Sequence, residues 1–233
     1  MKGYSVKSID SYECKDWLLN KHYAKRLCNI IYSFGLFKKN ELVGICTLGM
    51  PPTPFLSKIF VKGTYLELNR LVTNDKLDKN ALSFFVGYVL KNIGNYCIVS
   101  YADPNAGHHG YIYQATNWIY TGKGRVNQND KRGVNKFFYH GKEYHERHIP
   151  ETMVSLKFIV DKEKTKNSNW LSNGGQIISQ KRKHRYFYVC GSKKFKKKNK
   201  KIIQKHFDIY QYPKGKNQRY DASYKPTTQA KLF

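Results

Sequence analysis

The sequence predicts an α/β protein in which a central sheet is flanked by helices. In the middle of the chain, runs rich in β-branched and aromatic residues alternate with segments whose apolar residues recur at helical spacing, in the order strand, helix, strand, helix, strand. The 233 residues, 40% of them hydrophobic, are enough to fill one core. This order favours neighbouring strands joined by right-handed crossovers, with functional groups at the carboxyl ends of the strands.

The first elements are a short strand and a capped helix. Residues 4–9 alternate in the manner of a strand, and Asp10 followed by Glu13 forms an Asx version of the capping box, which opens a helix. That helix is expected to carry Trp17, Leu18 and His22.

The next elements follow from residue periodicity and from turn residues between the periodic runs. Two β-rich runs around a polar turn predict a hairpin, over residues 29–37 and 42–48. The strands and helices expected after the hairpin are strand 65–72, helix 82–93, strand 96–101, helix 108–118 and strand 119–121. Residues 122–133 are polar and glycine-rich, and we expect them to be mobile.

The last third of the chain is less regular. Residues 153–160 and 184–189 are expected to form further strands, and residues 193–206 resemble a lysine-rich helix. We therefore expect one catalytic domain over residues 1–190, followed by a basic C-terminal extension over residues 191–233 that contacts DNA or is partly mobile.

The charge indicates a polyanionic partner. The sequence has 42 Lys and Arg against 16 Asp and Glu, which gives a formal net charge of +26. Such a surplus repels itself unless it faces a polyanion, and nucleic acid is the first candidate. A membrane is not expected as a partner, because there is no 18-residue apolar run and no secretory signal, so we expect a cytoplasmic protein. The five scattered cysteines suggest neither a disulfide framework nor a zinc site.

The residues expected to contact DNA are basic side chains near the end of the chain, since ammonium and guanidinium groups neutralise backbone phosphates. They are Lys181, Arg182, Lys183, Arg185, Lys194, Lys197 and Lys198. A solubilising tail is the alternative explanation for such a charge run.

One corner of the predicted fold is dense in reactive side chains, where a strand runs through a loop into a helix. It contains Ser100, Tyr101, Asp103, Asn105, His108, His109, Tyr111 and Tyr113. This density suggests an active site. The alternative is that Asp103 and Asn105 only cap the helix and that the tyrosines pack in the core.

A second polar group lies on the predicted strand 65–72. The alternation of a strand places Glu67 and Asn69 on one face and Arg70 on the other. Glu67 and Arg70 either form a structural ion pair or belong to a site in which the guanidinium recognises a phosphate or carboxylate. Residues 74–79 lead into a helix N-terminus, which is an anion site in its own right.

These motifs resemble a known family. The runs 67–72 (ELNRLV), 100–104 (SYADP) and 107–118 (GHHGYIYQATNW), with His22-Tyr23 before them and 183–186 (KHRY) after them, resemble the Mom family of phage DNA-modification proteins. The resemblance covers most of residues 15–190.

What the resemblance implies is a fold similar to the GCN5-related N-acetyltransferases (GNAT), with a mixed, strongly twisted sheet. It also implies conversion of adenine in DNA to N6-carbamoylmethyladenine, which shields phage DNA from restriction in the bacterial host. An iron requirement is implied as well, with His22, Tyr23 and Asp103 as the candidate ligands. Ordinary acetyltransferases carry a glycine-rich loop for the coenzyme A pyrophosphate, but residues 72–81 contain no glycine, so the donor is left open.

The roles expected from this resemblance concern double-stranded DNA with its target adenine flipped out. Asp103 accepts a hydrogen bond from the N6 amine, Tyr101 or Tyr111 stacks or hydrogen-bonds nearby, and Arg70 holds an anionic part of the donor. His22 and Tyr23 act as metal ligands or proton-transfer groups. The further residues expected to bind substrate are Ser100, Asn105, His108, Tyr113, Glu67 and Asn69.

Two other functions fit the same sequence. One is a GNAT-like acyltransferase acting on an amine of a protein or small molecule. The other is a basic DNA-binding protein without catalytic activity, for which the lysines alone suffice.

Overall fold

The computed structural model describes residues 1–52, 54–74, 77–124, 134–144 and 146–215, without the side chain of residue 147. The chain divides into two compact units, one formed by residues 1–126 with 183–233 and the other by residues 127–182. Each described unit contains its own sheet.

The described strands are, in chain order, β1 (Tyr4–Ser8), β2 (Tyr32–Lys38), β3 (Glu41–Gly49), β4 (Tyr65–Thr73), β5 (Cys97–Ala102), β6 (Ile119–Lys123), β7 (Val134–Tyr139), β8 (Lys142–Tyr144), β9 (Gln176–Gln180) and β10 (His184–Val189). The described α-helices are α1 (Ala81–Asn92), α2 (Tyr111–Ala115), α3 (Ile149–Ser155), α4 (Lys166–Ser172) and α5 (Lys193–His206). The predicted α/β class is confirmed.

The sheet of the first unit has the strand order β1-β2-β3-β4-β5-β10-β6 in the described residues. Strands β4 and β5 are parallel neighbours, as predicted for strands joined by a helix, and the other neighbouring pairs are antiparallel. The expected adjacency of β5 and β6 is wrong, because β10 lies between them and pairs with β5 along its whole length. The sheet is therefore mixed, with its only described parallel pair at its centre.

Two apolar layers cover this sheet. Successive residues of β5 belong to different apolar clusters. Ile98 packs with residues of α1, and Val99 packs with Ile203 of α5. Because successive side chains of a strand point to opposite faces, α1 and α5 lie on opposite sides of the sheet. The candidate site described below lies at the carboxyl end of β5 and on the neighbouring strand β4.

The N-terminal segment departs from the predicted single helix. Asp10 and Glu13 form the expected capping box, but it opens only a 3₁₀ turn, Ser11–Cys14. A π-helical turn, Trp17–Lys21, follows, and it ends where the amide of His22 donates to the carbonyl of Trp17. His22 itself has extended backbone angles, so it lies after the helical turn and not within it.

Helix α2 is shorter than the predicted helix 108–118. Gly110 before it and Asn117 after it both have positive φ, which an α-helix does not accommodate. The polar residues before α2 therefore lie in a loop, where the backbone is not bound to a helical pattern.

The second unit consists of the sheet β8-β7-β9 and the helices α3 and α4. Its core is formed by Phe137, Ile149, Met153 and Trp170. The predicted strand 153–160 is wrong, because Ile149 and Met153 repeat at helical spacing and the proline at position 150 in the first turn favours a helix. The expectation that residues 122–133 are mobile concerns mainly residues outside the described ranges.

Helix α5 confirms the predicted helix 193–206. Ser192 caps it by accepting a hydrogen bond from the amide of Phe195, and Ile203 is buried in the core of the first unit. The two compact units do not divide the chain at residue 190. The predicted division there, between a catalytic domain and a basic extension, stays a prediction. None of the helices in the described ranges is both long enough and apolar enough to cross a membrane.

Gly110 provides a test of the packing around α2. Its φ is +88°, and a Cβ added there would overlap the ring of Tyr186. Gly63 also has positive φ, +80°, but a Cβ there would meet nothing within 4 Å. We expect Gly63→Ala to lower the free energy of unfolding by about 1 kcal/mol. Gly110→Ala should lower it by about 3 kcal/mol, because overpacking adds to the strain. Equal losses in urea denaturation would contradict this packing.

Candidate functional site

The π-helical turn places His22 and Tyr23 against the sheet. Trp17 and Leu18 are buried in a cluster with Val72 of β4, which fixes this end of the segment. His22 is 5% exposed, and its ring stacks on Tyr23 with centroids 4.4 Å apart. The ring of Tyr23 in turn lies 5.6 Å from that of His108, in the loop before α2. His22, Tyr23 and His108 are therefore brought together, although 86 positions separate the first from the last.

His22 is a neutral imidazole in this environment. Burial, together with the positive charges of Arg70 and Lys183, lowers its pKa to about 3. Its Nδ1 accepts a hydrogen bond from the amide of Ala24 at 3.0 Å. In a neutral ring with Nδ1 as acceptor the proton resides on Nε2, so His22 presents Nε2 as a hydrogen-bond donor.

A β-bulge in β4 shapes the second part of the site. Thr47 and Leu48 of β3 lie opposite Arg70 and Leu68 of β4, so Asn69 is an extra residue without a partner in the register. Its side chain accepts a hydrogen bond from the Thr47 hydroxyl at 2.6 Å and donates to a loop carbonyl at 2.7 Å. Asn69 therefore holds the bulge in place.

The bulge brings Glu67 and Arg70 to the same face of the sheet. Leu68 before the bulge and Leu71 after it both pack on the α1 side, whereas Val72 packs on the other side. The expectation that Arg70 points away from Glu67 is therefore wrong, because the extra residue resets the alternation on which it rested.

Glu67 and Arg70 are close enough to influence each other's charge, yet neither an ion pair nor a hydrogen bond joins them in the described structure. Burial raises the pKa of Glu67 to about 7, against the opposing effect of Arg70, Lys183 and Arg26. The guanidinium of Arg70 donates through Nη1 to the carbonyl of Asn69 at 2.7 Å. The alternative of a structural ion pair is therefore not what this strand forms.

Asp103 follows β5 directly and is 8% exposed. Its Oδ1 accepts hydrogen bonds from the backbone and side-chain nitrogens of Asn105, both at 2.9 Å, and its Oδ2 lies 3.2 Å from Nζ of Lys183. Burial by itself raises the pKa of Asp103, but Lys183 and Asn105 outweigh it and the pKa is lowered. Asp103 therefore caps a short turn, as in the alternative interpretation. It is also a carboxylate close to Tyr23. Burial and the negative charge of Asp103 raise the pKa of Tyr23 to about 12.

Other predicted substrate-binding residues have structural contacts. Ser100 donates to the Leu68 carbonyl and lies 2.7 Å from the Tyr113 hydroxyl, and both residues are buried in the core. Tyr101 is partly buried near Glu67, and burial raises its pKa to about 12. Asn105 and Tyr111 are exposed, Tyr111 by 63%. Tyr111 is therefore free to meet a ligand at the surface, whereas Tyr113 is a core residue.

Three residues near this cluster were not predicted as part of it. Lys183, which was expected to contact DNA, pairs with Asp103, and its contact with DNA stays a prediction. The charge of Arg26 lowers the pKa of His22, Tyr23 and Glu67. The Sγ atom of Cys28 lies 3.8 Å from the Thr47 hydroxyl. Burial raises the pKa of Cys28, so its thiol is protonated at neutral pH. The loop after Tyr23 has no periodicity, and only its closeness in sequence to His22-Tyr23 hints at a role.

The basic residues expected to contact DNA differ in exposure. Arg185 is 3% exposed, donates to Thr121 through two nitrogens and stacks over the ring of Phe207 at 4.4 Å. These contacts leave little of Arg185 to meet a phosphate. Arg182 is also buried. The exposed members of the set are Lys181, Lys183, Lys194, Lys197 and Lys198.

The iron requirement stays a prediction. In the described part of the chain, no three His, Cys, Asp or Glu side chains lie together as a metal-holding group. The Nδ1 atom of His22 is occupied by the Ala24 amide, and both oxygens of Asp103 have protein partners.

Fold and site together define a mixed α/β protein with a polar cluster at the carboxyl end of β5 and on the adjoining strand β4. The model of the Mom protein family matches residues 3–214, and the chain belongs to that family. The predicted family resemblance is thus confirmed, while the acetyltransferase-like detail of the fold stays a prediction.

One similar protein is the methylcarbamoylase mom of Escherichia phage Mu. It is 30% identical over 131 residues, which make up 52% of this chain and 54% of the phage Mu protein. The chain therefore spans about half the length of the curated relative that it matches.

The raised pKa of Glu67 predicts a pH-dependent stability. An unfolded chain releases this proton near pH 4.5 and the folded protein near pH 7, so Glu67 destabilises the fold progressively as the pH rises through this interval. We expect Glu67→Gln to be about as stable as the unaltered protein at pH 4.5 and about 2 to 3 kcal/mol more stable at pH 8, at about 1.36 kcal/mol per pKa unit. Urea denaturation at several pH values measures the difference.

The matched control is Glu41→Gln, since Glu41 lies exposed at the start of β3. It makes the same chemical change without relieving a buried carboxyl, and its effect should not vary over this pH range. A stability difference for Glu67→Gln that is constant from pH 4.5 to pH 8 would show that the carboxyl titrates normally.

Proposed function

We propose that this protein is a DNA-modifying enzyme that converts adenine in DNA to N6-carbamoylmethyladenine and so protects phage DNA from restriction in the host cell. The observation that carries the proposal is that a member of the Mom family gathers Tyr23, His108 and Asp103 at one place, with Glu67 and Arg70 on the adjoining strand. The similarity to a phage Mu methylcarbamoylase supports the choice of reaction.

The chemistry sets three requirements for such a site. The target adenine has to leave the stack, because its N6 amine is inaccessible inside the duplex. The amine then has to be oriented. When the new bond between N6 and the methylene carbon forms, one proton has to leave N6, and the bond between that carbon and the donor has to break, with the donor remnant as the leaving group. The donor of the group has to be held with that carbon next to N6.

Asp103 is suited to orient the amine. Its lowered pKa keeps it charged at neutral pH. A carboxylate offers about four acceptor positions, of which Asn105 and Lys183 occupy three. The remaining position accepts a hydrogen bond from N6. Lys183 and Asn105 act as positioning residues in this proposal, because they fix the carboxylate.

The aromatic side chains and His22 complete the proposed binding site. Tyr111 is exposed and offers a ring on which an extruded base can stack. His22 adds a neutral imidazole to the cluster, with its ring proton on Nε2. An iron ion, if required, would add chemistry that these residues do not supply.

Nucleoside analysis tests the reaction. We expect mass spectrometry of DNA from cells that express the protein to detect N6-carbamoylmethyladenine, and Asp103→Asn to reduce it at least tenfold because the charged acceptor is lost. The control is Asp78→Asn, which changes another lysine-paired aspartate, 54% exposed, in the same way. Unmodified DNA with the unaltered protein would favour a binding protein or an acyltransferase with another amine substrate. Full modification by Asp103→Asn would remove Asp103 from the mechanism.

The exposed lysines of α5 are the proposed contact to the DNA backbone. The logarithm of the affinity for duplex DNA falls linearly with the logarithm of the salt concentration. The slope steepens by about 0.9 for each phosphate that the protein neutralises. Replacing Lys194, Lys197 and Lys198 with Ala should therefore reduce that slope by about 2 to 3.

The control for the lysine variant changes the net charge equally at a distant surface. Lys2, Lys7 and Lys39 lie exposed around β1, at the edge of the sheet opposite to β6. Their replacement with Ala should leave the slope nearly unchanged in a fluorescence titration at several salt concentrations. Equal slopes for both triple variants would place the DNA on another surface.

A further inference from the structure

Two polar atoms on β4 are buried without a hydrogen-bond partner in the described structure. They are Oε2 of Glu67 and Nε of Arg70. Buried polar atoms in folded proteins are nearly always satisfied, and each exception calls for a cause, such as a ligand that supplies the missing partner. Here an acceptor and a donor are left unsatisfied on the same strand.

The two side chains face the same space. The bulge at Asn69 puts them on one face of the sheet, and each lies within the electrostatic range of the other. Nη1 of Arg70 is fixed by the Asn69 carbonyl, so the guanidinium is anchored at one corner. Both side chains are only partly buried, so part of each is accessible to a ligand. The terminal torsion of a glutamate is soft, so Glu67 can present either oxygen.

An acceptor next to a fixed donor is complementary to a planar group that carries an N–H beside an acceptor atom. A primary carboxamide has this pattern, and it is neutral, so it fits between a carboxylate and a guanidinium without excess charge. A carboxylate ligand would bind Arg70 but would be repelled by an ionised Glu67. The N6 and N1 atoms of adenine present the same donor and acceptor edge.

We propose that Glu67 and Arg70 together form a recognition site for an amide-like edge, in which an N–H donates to Glu67 and the adjacent acceptor receives a hydrogen bond from Arg70. This inference rests on the proposed function, in which two groups have such an edge: the carboxamide of the carbamoylmethyl group and the adenine base. If the carboxamide is the group that binds here, Glu67 and Arg70 select a carbamoylmethyl group over a carboxymethyl group.

The experiment measures binding of three nucleosides at pH 8, where Glu67 is ionised, by isothermal titration calorimetry. The probes are N6-carbamoylmethyl-deoxyadenosine, N6-carboxymethyl-deoxyadenosine and deoxyadenosine. The unaltered protein should bind the amide at least tenfold more tightly than the acid. Glu67→Gln removes the negative charge and keeps an acceptor, so the preference should disappear or reverse. Glu41→Gln, on the exposed start of β3, should keep the preference.

The outcomes separate the two sources of the edge. Loss of the amide preference in Glu67→Gln, with binding of deoxyadenosine unchanged, identifies the carboxamide as the ligand. Weaker binding of all three nucleosides by the same factor identifies the adenine edge. A Glu67→Gln protein that retains the full preference and full affinity overturns the inference while the proposed function stands. If the unaltered protein binds none of the probes and leaves cellular DNA unmodified, the proposed function itself fails, and this inference with it.

Discussion

The bulge at Asn69 is the constraint on which the arrangement of the candidate site depends. Without it, the alternation of β4 would place Glu67 and Arg70 on opposite faces of the sheet. With it, one strand supplies both a carboxyl and a guanidinium to the space next to Asp103 and Tyr23. Thr47 and the loop carbonyl of Asn29 hold the bulge by hydrogen bonds of 2.6 and 2.7 Å, so it is a fixed feature of the strand.

The positive charges around this strand determine the protonation states nearby. Burial disfavours the cationic form of the His22 ring most strongly, and Arg70, Lys183 and Arg26 act in the same direction, so the ring stays neutral. The same charges favour carboxylates, but only Asp103 has hydrogen-bond donors in contact with it. A guanidinium that lies beside carboxylates is suited to hold an electron-rich but uncharged atom, such as the carbonyl oxygen of an amide.

The sequence predicted those parts that depend on local patterns. The bounds of β10 and α5 follow from residue periodicity, and the polar cluster at Asp103 follows from its position directly after a strand. Three features depend on pairing between distant segments and had no local signal: the insertion of β10 beside β5, the bulge at Asn69 and the position of Arg26. The strand predicted over residues 153–160 was wrong because a short apolar run fits a strand and a helix equally well, and packing against Trp170 decided for the helix.

The two acidic residues of the site have opposite environments, and this difference separates the roles open to them. Asp103 is bonded by Asn105 and Lys183, so it holds a fixed negative charge that can orient a donor but is a weak base. Glu67 is buried without a hydrogen-bond partner for Oε2, and its pKa of about 7 makes it the group that exchanges a proton near neutral pH. In the proposed reaction, which releases a proton from N6, the fixed carboxylate of Asp103 would orient the amine and Glu67 would take up the proton. Because Glu67 lies on β4 and Asp103 directly follows β5, its parallel neighbour, the sheet fixes the separation between these two carboxyl groups.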